Sequence, residues 1–179
     1  MRPSVPGAEP EARPPGAPLA ERPVLVIGFG NTLRRDDGVG VRAAELLSVD
    51  PRLGDAVVLA RHQLTPELAM DIATASLLIL VDADSAAEPG VVSVRGIDPG
   101  ARRSGVPTTG ASGGSTHHVA GGELLALAEE LTGYRPPAFS VGIGVADLEI
   151  GEGLSAAVEA ALADVVDVVV DIVVRHRSV

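Results

Sequence analysis

Residues Val24 to Glu45 read VLVIGFGNTLRRDDGVGVRAAE. Val24 to Ile27 is an uninterrupted apolar run, the pattern of a strand buried on both faces. The chain then turns through Gly28-Phe29-Gly30-Asn31. Two adjacent carboxylates follow, Asp36 and Asp37, and a helical pattern starts directly after them with Val39, Ala43, Leu46 and Leu47 on one face. A strand, a loop and a helix thus deliver paired acids to a helix N-terminus. In an open α/β sheet that point lies at the carboxyl end of a strand, where ligands bind.

The glycines invite comparison with a dinucleotide loop, but Leu33 stands where the third glycine of that spacing is needed. There is no Gly-Lys-Ser/Thr phosphate loop, and two acids beside the turn repel a pyrophosphate. They attract a cation or move a proton.

Composition narrows the field. A chain of 179 residues, 46% apolar but only 2% aromatic, suits one domain with a core of Val, Leu, Ile and Ala. The net charge is −10 and lysine is absent. That argues against nucleic acid and anionic membranes as partners, since both require basic patches. Without cysteine there is no disulfide, thiolate ligand or Cys nucleophile. No apolar run is long enough to span a bilayer and the N-terminus lacks the apolar core of a signal peptide, so a cytoplasmic location is expected.

Met1 to Arg22, rich in Pro, Ala, Arg and Glu, is expected to be a disordered tail ahead of a single domain over residues 23–175. Within that domain the patterns predict a second strand at Ala56 to Ala60 and a helix to about Ala75. Thr65 is its expected N-cap and Pro66 its first residue. Further strands are expected at Leu77 to Val81, Val91 to Ile97 and Ala138 to Val145. Helices are expected from about Val119 to Leu131 and from Ala156 to Val174, the last capped by Ser155. Asp98 to Ser115 reads as a long Gly/Ser/Thr/Pro loop, mobile and placed to fold over a substrate. Strands alternating with helices imply an α/β fold with a mainly parallel sheet.

Three strand ends then carry polar groups. Asp37 follows the first strand, Asp82 ends the third, and His117 opens the helix after the fourth. In a parallel sheet these ends share one edge. Two carboxylates and an imidazole suit a divalent transition metal with positions left open. Each residue also has a plain reading. Asp37 can complement a helix dipole, Asp82 can cap its loop, and His117 or His118 can be a surface histidine. His62 and Glu67 flank the second loop and helix start, and His62, following the second strand, can join the site or be a capping or surface group. Leu80-Val81-Asp82-Ala83-Asp84 has the Asp-x-Asp of haloacid-dehalogenase-type phosphatases, but the phosphate-holding lysine is missing and the motif sits on the third strand. His176 falls in a C-terminus expected to fray.

Four segments together resemble the endopeptidases that mature the large subunit of nickel–iron hydrogenases. They are Gly28 to Gly40, Val81-Asp82-Ala83, Ser115-Thr116-His117 and Gly151-Glu152-Gly153-Leu154-Ser155, and the likeness runs from Val24 to Val174. The resemblance implies a three-layer α/β/α sandwich around a roughly five-stranded sheet, phosphorylase/peptidase-like. It implies removal of a C-terminal peptide from a nickel-loaded [NiFe]-hydrogenase large-subunit precursor. The substrate's nickel serves for recognition and no metal is kept by the enzyme, though Zn or Cd can substitute in vitro. The metal-binding positions match Asp37, Asp82 and His117; the residues at hand, with no Ser–His–Asp order and no Cys, place the chain among aspartic-type peptidases, with Asp37 or Asp82 as the catalytic acid that orients or activates water. Glu is usual where Asp37 stands. Asn31, Asp36 and His62 are expected to contact the substrate, and a monomer is expected. The contrasting reading is a maturation chaperone that binds nickel or precursor without cutting.

Overall fold

The strand-forming runs recognised in the sequence assemble into one sheet in the computed structural model. The structure describes residues 18, 21–97 and 116–178, without the side chains of 116–120. The strands are β1 (Val24–Phe29), β2 (Val57–Arg61), β3 (Leu77–Asp84), β4 (Val92–Gly96) and β5 (Ala138–Gly144), in the order β2-β1-β3-β5-β4. The first three and β5 are parallel, while β4 runs antiparallel along β5. The helices are α1 (Val39–Ser48), α2 (Leu68–Ala73), α3 (Thr116–Thr132) and α4 (Ala156–Arg177).

Period-two alternation along the central strands sends successive side chains to opposite faces. Val24, Val26, Ile79, Val81, Val141 and Ile143 face α1 and α4. Leu25, Ile27, Phe29, Leu78 and Leu80 face α2 and α3. Both faces are covered, which is why β1 and β3 read as continuous apolar runs. The expected three-layer, mainly parallel sandwich is the observed fold.

Several boundaries differ from expectation. β1 continues through Gly28 and Phe29 because β2 and β3 still offer partners there. β3 takes in Asp82 and Asp84, which pair with Gly142 and Gly144 of β5. Thr65 does not cap α2: the N–H groups of Leu68 and Ala69 reach back three residues to Thr65 and Pro66, forming a tighter turn before the helix. The Glu67 carboxylate instead takes its own N–H and the Thr65 hydroxyl, which lower its pKa. α4 continues past Val174 to Arg177, its last turn carrying Arg175, His176 and Arg177, where positive charge suits the dipole. His176 is therefore helical, with Nε2 3.2 Å from the Ser76 hydroxyl.

Met1 to Arg22, apart from Pro18, Glu21 and Arg22, and the loop Asp98 to Ser115 lie outside the described residues. Among the described residues no helix is long and apolar enough to cross a membrane.

Candidate active site

The glycines around the first turn serve backbone packing. A Cβ on Gly28 would collide with the Gly40 carbonyl, and one on Gly40 would collide with the carbonyls of Phe29 and Val81. Two facing glycines let the first turn of α1 settle onto the ends of β1 and β3, closer than any side chain permits. At Gly30, φ is +143°, and a Cβ would strike the Asp37 carbonyl. These contacts press the acid-bearing segment against the carboxyl edge of the sheet.

That segment is a single 3₁₀ turn, Arg35–Gly38, and α1 begins directly after it at Val39, where the helical pattern predicts its start. Its two acids face different surroundings. Asp36 is fully buried. Its Oδ2 accepts from the N–H groups of Ala146 and Asp147 at 2.9 and 3.0 Å and from the Ser155 hydroxyl at 2.9 Å. Its Oδ1 accepts from the Ser155 N–H at 2.6 Å. Burial pushes the Asp36 carboxyl upward, but the donors from Ser155, Ala146 and Asp147 outweigh it and hold the pKa below its ordinary value. The expectation that Asp36 contacts substrate is corrected: it has no exposed surface, and it fastens the 3₁₀ turn to the loop before α4. Ser155 stands at the N-cap position of α4 in extended conformation, yet makes no side-chain cap bond, because its hydroxyl is given to Asp36. Nothing local in the sequence signalled this pairing across 119 residues.

Asp37 is half-buried, and its Oδ2 accepts the Asn31 N–H at 3.2 Å. The Asn31 side-chain oxygen accepts the Leu33 N–H at 3.0 Å. Asn31 therefore shapes the loop and sits beside the acid. The Gly30 N–H donates to the Arg61 carbonyl at 3.1 Å, which brings exposed His62 to the neighbourhood of the same turn. Asp82, 4% exposed, lies on the sheet face that carries Leu78 and Leu80, and its Oδ1 accepts the Ala83 N–H at 2.7 Å. Gly121 of α3 packs on Leu80, with its Cβ position 2.7 Å from Leu80 Cδ1. Since α3 leads into parallel β5, it runs away from the carboxyl edge. His117 lies four residues before Gly121, in the first turn of α3. Its side chain and that of His118 are outside the described residues. Among the described residues no three His, Asp or Glu side chains cluster at metal-holding distance.

Asp84 is buried on the same face as Asp82. Its Oδ1 accepts the Ala86 N–H at 3.0 Å, and its Oδ2 lies 3.2 Å from the Arg95 guanidinium across the strand glycines of β5. This ion pair, not a phosphatase Asp-x-Asp pair, is what the second acid of Asp82-Ala83-Asp84 forms.

No family model matches the chain. It is 34% identical over 148 residues to the hydrogenase expression/formation protein HupM of Azotobacter chroococcum mcd 1, spanning 78% of this chain and 68% of that protein. Its fold superimposes on the hydrogenase maturating endopeptidase HybD of E. coli with a TM-score of 0.64 and 28% identity, covering 82% of this chain and 89% of HybD. The [NiFe] hydrogenase maturation protease HycI of Thermococcus kodakarensis KOD1 shares the fold with a TM-score of 0.64 at 18% identity, over 85% and 92% of the two chains. With a relative this similar over most of its length, and with the glycine-packed acidic turn at the carboxyl edge of the same sheet, the chain belongs to the hydrogenase maturation endopeptidase family.

Proposed function

We propose that this protein removes the C-terminal peptide of a nickel-loaded [NiFe]-hydrogenase large-subunit precursor, reading the substrate's own nickel. The observation that carries the reading is the meeting of two acid-bearing elements at one sheet edge: the 3₁₀ turn with Asp37 and the end of β3 with Asp82. We assign to the same edge His117, which opens α3, the helix that leads into parallel β5. Two carboxylates and an imidazole are donors that fit a borderline divalent ion such as nickel. Asp37 gives Oδ2 to the Asn31 N–H, which fixes its rotamer, and Oδ1 is the oxygen we assign to the metal.

In this reading Asp37, Asp82 and His117 hold the precursor by its nickel, and His62 and Asn31 border the bound segment. The scissile peptide then lies beside the two carboxylates. Water attacks its carbonyl carbon, a carboxylate of the pair takes the water proton, the C–N bond breaks, and the proton passes to the leaving amine. This is aspartic-type chemistry supplied by the chain's own acids. No resident metal is required, and the protein acts as a cytoplasmic monomer.

The test mixes the protein with nickel-loaded and nickel-free precursor and follows the released peptide by mass spectrometry. Cutting of the loaded form alone is expected. Equal cutting of both refutes recognition through nickel. Binding without cutting of either form favours the maturation-chaperone reading.

A further inference from the structure

The loop bearing the acids is bound along its length to the loop between β5 and α4. The Gly151 N–H donates to the Leu33 carbonyl and the Arg35 N–H to the Gly151 carbonyl, both at 2.9 Å, and the Asp36 N–H donates to the Asp147 carbonyl at 3.1 Å. The Arg34 Nε donates to the Leu148 carbonyl at 3.2 Å, and Arg35 pairs with Asp147 at 3.3 Å. Asp36 lies beneath, holding the second loop by its N–H groups. Two loops joined this way form one rigid platform.

Two large apolar side chains stand on that platform in water. Leu33 is 60% exposed and Ile150 is 89% exposed. Scattered exposed apolar residues are ordinary in proteins, but the position of these two is not incidental. The Leu33 N–H bonds to the Asn31 side chain, and the Asn31 N–H bonds to the Asp37 carboxylate. Only two hydrogen bonds separate the Leu33 backbone from the proposed metal-contacting acid. Gly151, next to Ile150, bonds to Leu33 itself.

We propose that Leu33 and Ile150 form the apolar contact on which the hydrogenase large-subunit precursor docks when its metal reaches Asp37. The inference rests on the function proposed above, and it adds where the folded body of that substrate touches the enzyme. A precursor bringing its metal to Asp37 must lie against this platform. The charges on the platform describe its partner. Arg34 and Arg35 are exposed, with donors on the Leu148 carbonyl and the Asp147 carboxylate, and Glu149 and Glu152 are exposed beside them, so the platform carries both signs of charge. The matching surface on the precursor is apolar with a polar rim of mixed charge, and the net charge of −10 on this lysine-free chain favours approach of a basic face. Two side chains are an anchor, far short of the roughly 800 Å² per partner of a stable complex. That suits an enzyme that must release its product.

Rigid presentation also matters energetically. Side chains on ordered loops lose less entropy on binding than those on flexible ones, so a small anchor is effective.

The test measures binding and cleavage of the nickel-loaded precursor by wild type, Leu33→Ser, Ile150→Ser and Val49→Ser. Val49, 79% exposed at the far end of α1, serves as the control. Leu33→Ser and Ile150→Ser should each weaken Kd and raise KM by about tenfold, with kcat at saturation nearly unchanged and Val49→Ser silent. Thermal melts should match wild type, since the replaced side chains are exposed. Wild type that binds and cuts while both variants do the same equally well overturns the docking inference and leaves the proposed function intact. Wild type that neither binds nor cuts removes both. Sedimentation of the enzyme alone supplies the remaining arm: self-association that Leu33→Ser and Ile150→Ser abolish would make the pair a contact between copies, overturning the assignment to the precursor.

Discussion

Asp36 and Ser155 are joined twice, the Ser155 N–H to Asp36 Oδ1 at 2.6 Å and the Ser155 hydroxyl to Asp36 Oδ2 at 2.9 Å. With the N–H groups of Ala146 and Asp147, one buried carboxylate receives four donors. Asp36→Asn places amide hydrogens against this set of donors. Asp36→Ala leaves three backbone N–H groups without their acceptor. Each change should destabilise the fold by about 3 kcal/mol, since bonds to a charged acceptor are strong and orphaned buried donors are costly. Ser155→Ala, which removes one of the four, should cost about 1 kcal/mol. Urea titrations of the three variants rank them, and an Asp36→Asn protein as stable as wild type would refute the staple.

The same carboxylate gives the protein an acid limit. Its folded pKa is depressed, so the unfolded state binds the proton more readily. The stabilisation from Asp36 is fully present above the unfolded value, about 3.9, and is lost as pH falls through the lower folded value. Stability should thus decline between pH ~4 and the folded pKa more steeply in wild type than in Asp36→Asn. Urea midpoints measured at stepped acid pH compare the two slopes, and parallel slopes would remove Asp36 from the acid response.

Gly28 and Gly40 meet backbone to backbone, so neither accepts a methyl group without displacing α1 from β1. Gly28→Ala and Gly40→Ala should each cost more than about 3 kcal/mol, because overpacking here strikes carbonyl groups rather than flexible side chains. Gly133, which has nothing near its Cβ position but a φ of +72°, should cost only about 1 kcal/mol on change to Ala. Melting temperatures that fail to separate Gly28 and Gly40 from Gly133 would contradict the close-packing account.

The sheet is legible in the sequence because burial on both faces writes itself as apolar runs, and Val24 to Ile27 and Leu77 to Val81 fit little else. The carboxyl-edge placement of Asp37 and Asp82 follows from strand-helix alternation alone. Long-range hydrogen bonding leaves no such trace. Asp36 and Asp37 are neighbours of identical chemistry, and only the approach of residues 146–155 makes one a buried fastening and leaves the other half-buried. Ser155 reads as a cap because capping is local, whereas its actual partner is 119 residues away. The start of α2 differs from expectation for a related reason: Thr65-Pro66 satisfies the pattern of a helix start but closes a tighter turn first.

The proposed site should hold free metal weakly. Two carboxylates and one imidazole leave coordination positions open, and among the described residues no three His, Asp or Glu side chains cluster at metal-holding distance. Purified protein is expected to carry no stoichiometric metal, while added Ni²⁺, Zn²⁺ or Cd²⁺ should bind reversibly with affinity that falls at acid pH, since the ligands must be deprotonated to bind. Calorimetry at neutral and at acid pH checks both points. Tight stoichiometric metal after chelator-free purification would argue for a resident metal, against recognition through the substrate's nickel.

Asp37→Asn and His117→Ala separate recognition from folding. The amide introduced by Asp37→Asn retains a side-chain oxygen able to accept the Asn31 N–H that now bonds Asp37 Oδ2, so the loop keeps its shape. The charge is lost, and with it the attraction for the metal and one of the two acids available to take the water proton. Cleavage should fall by at least about 100-fold, equivalent to about 2.7 kcal/mol of transition-state stabilisation. His117→Ala removes a neutral nitrogen ligand, and it should weaken precursor binding more than it slows the bound complex. Asp37→Glu retains the charge and lengthens the reach by one methylene, so it should recover much of the activity that Asp37→Asn loses. All three proteins should melt within about 1 kcal/mol of wild type, as changes outside the core do. Assays of KM, kcat and melting on the same preparations decide the matter: unaltered cleavage by Asp37→Asn would take Asp37 out of the active site, and failure of Asp37→Glu to recover activity would assign the residue a role in loop geometry rather than charge.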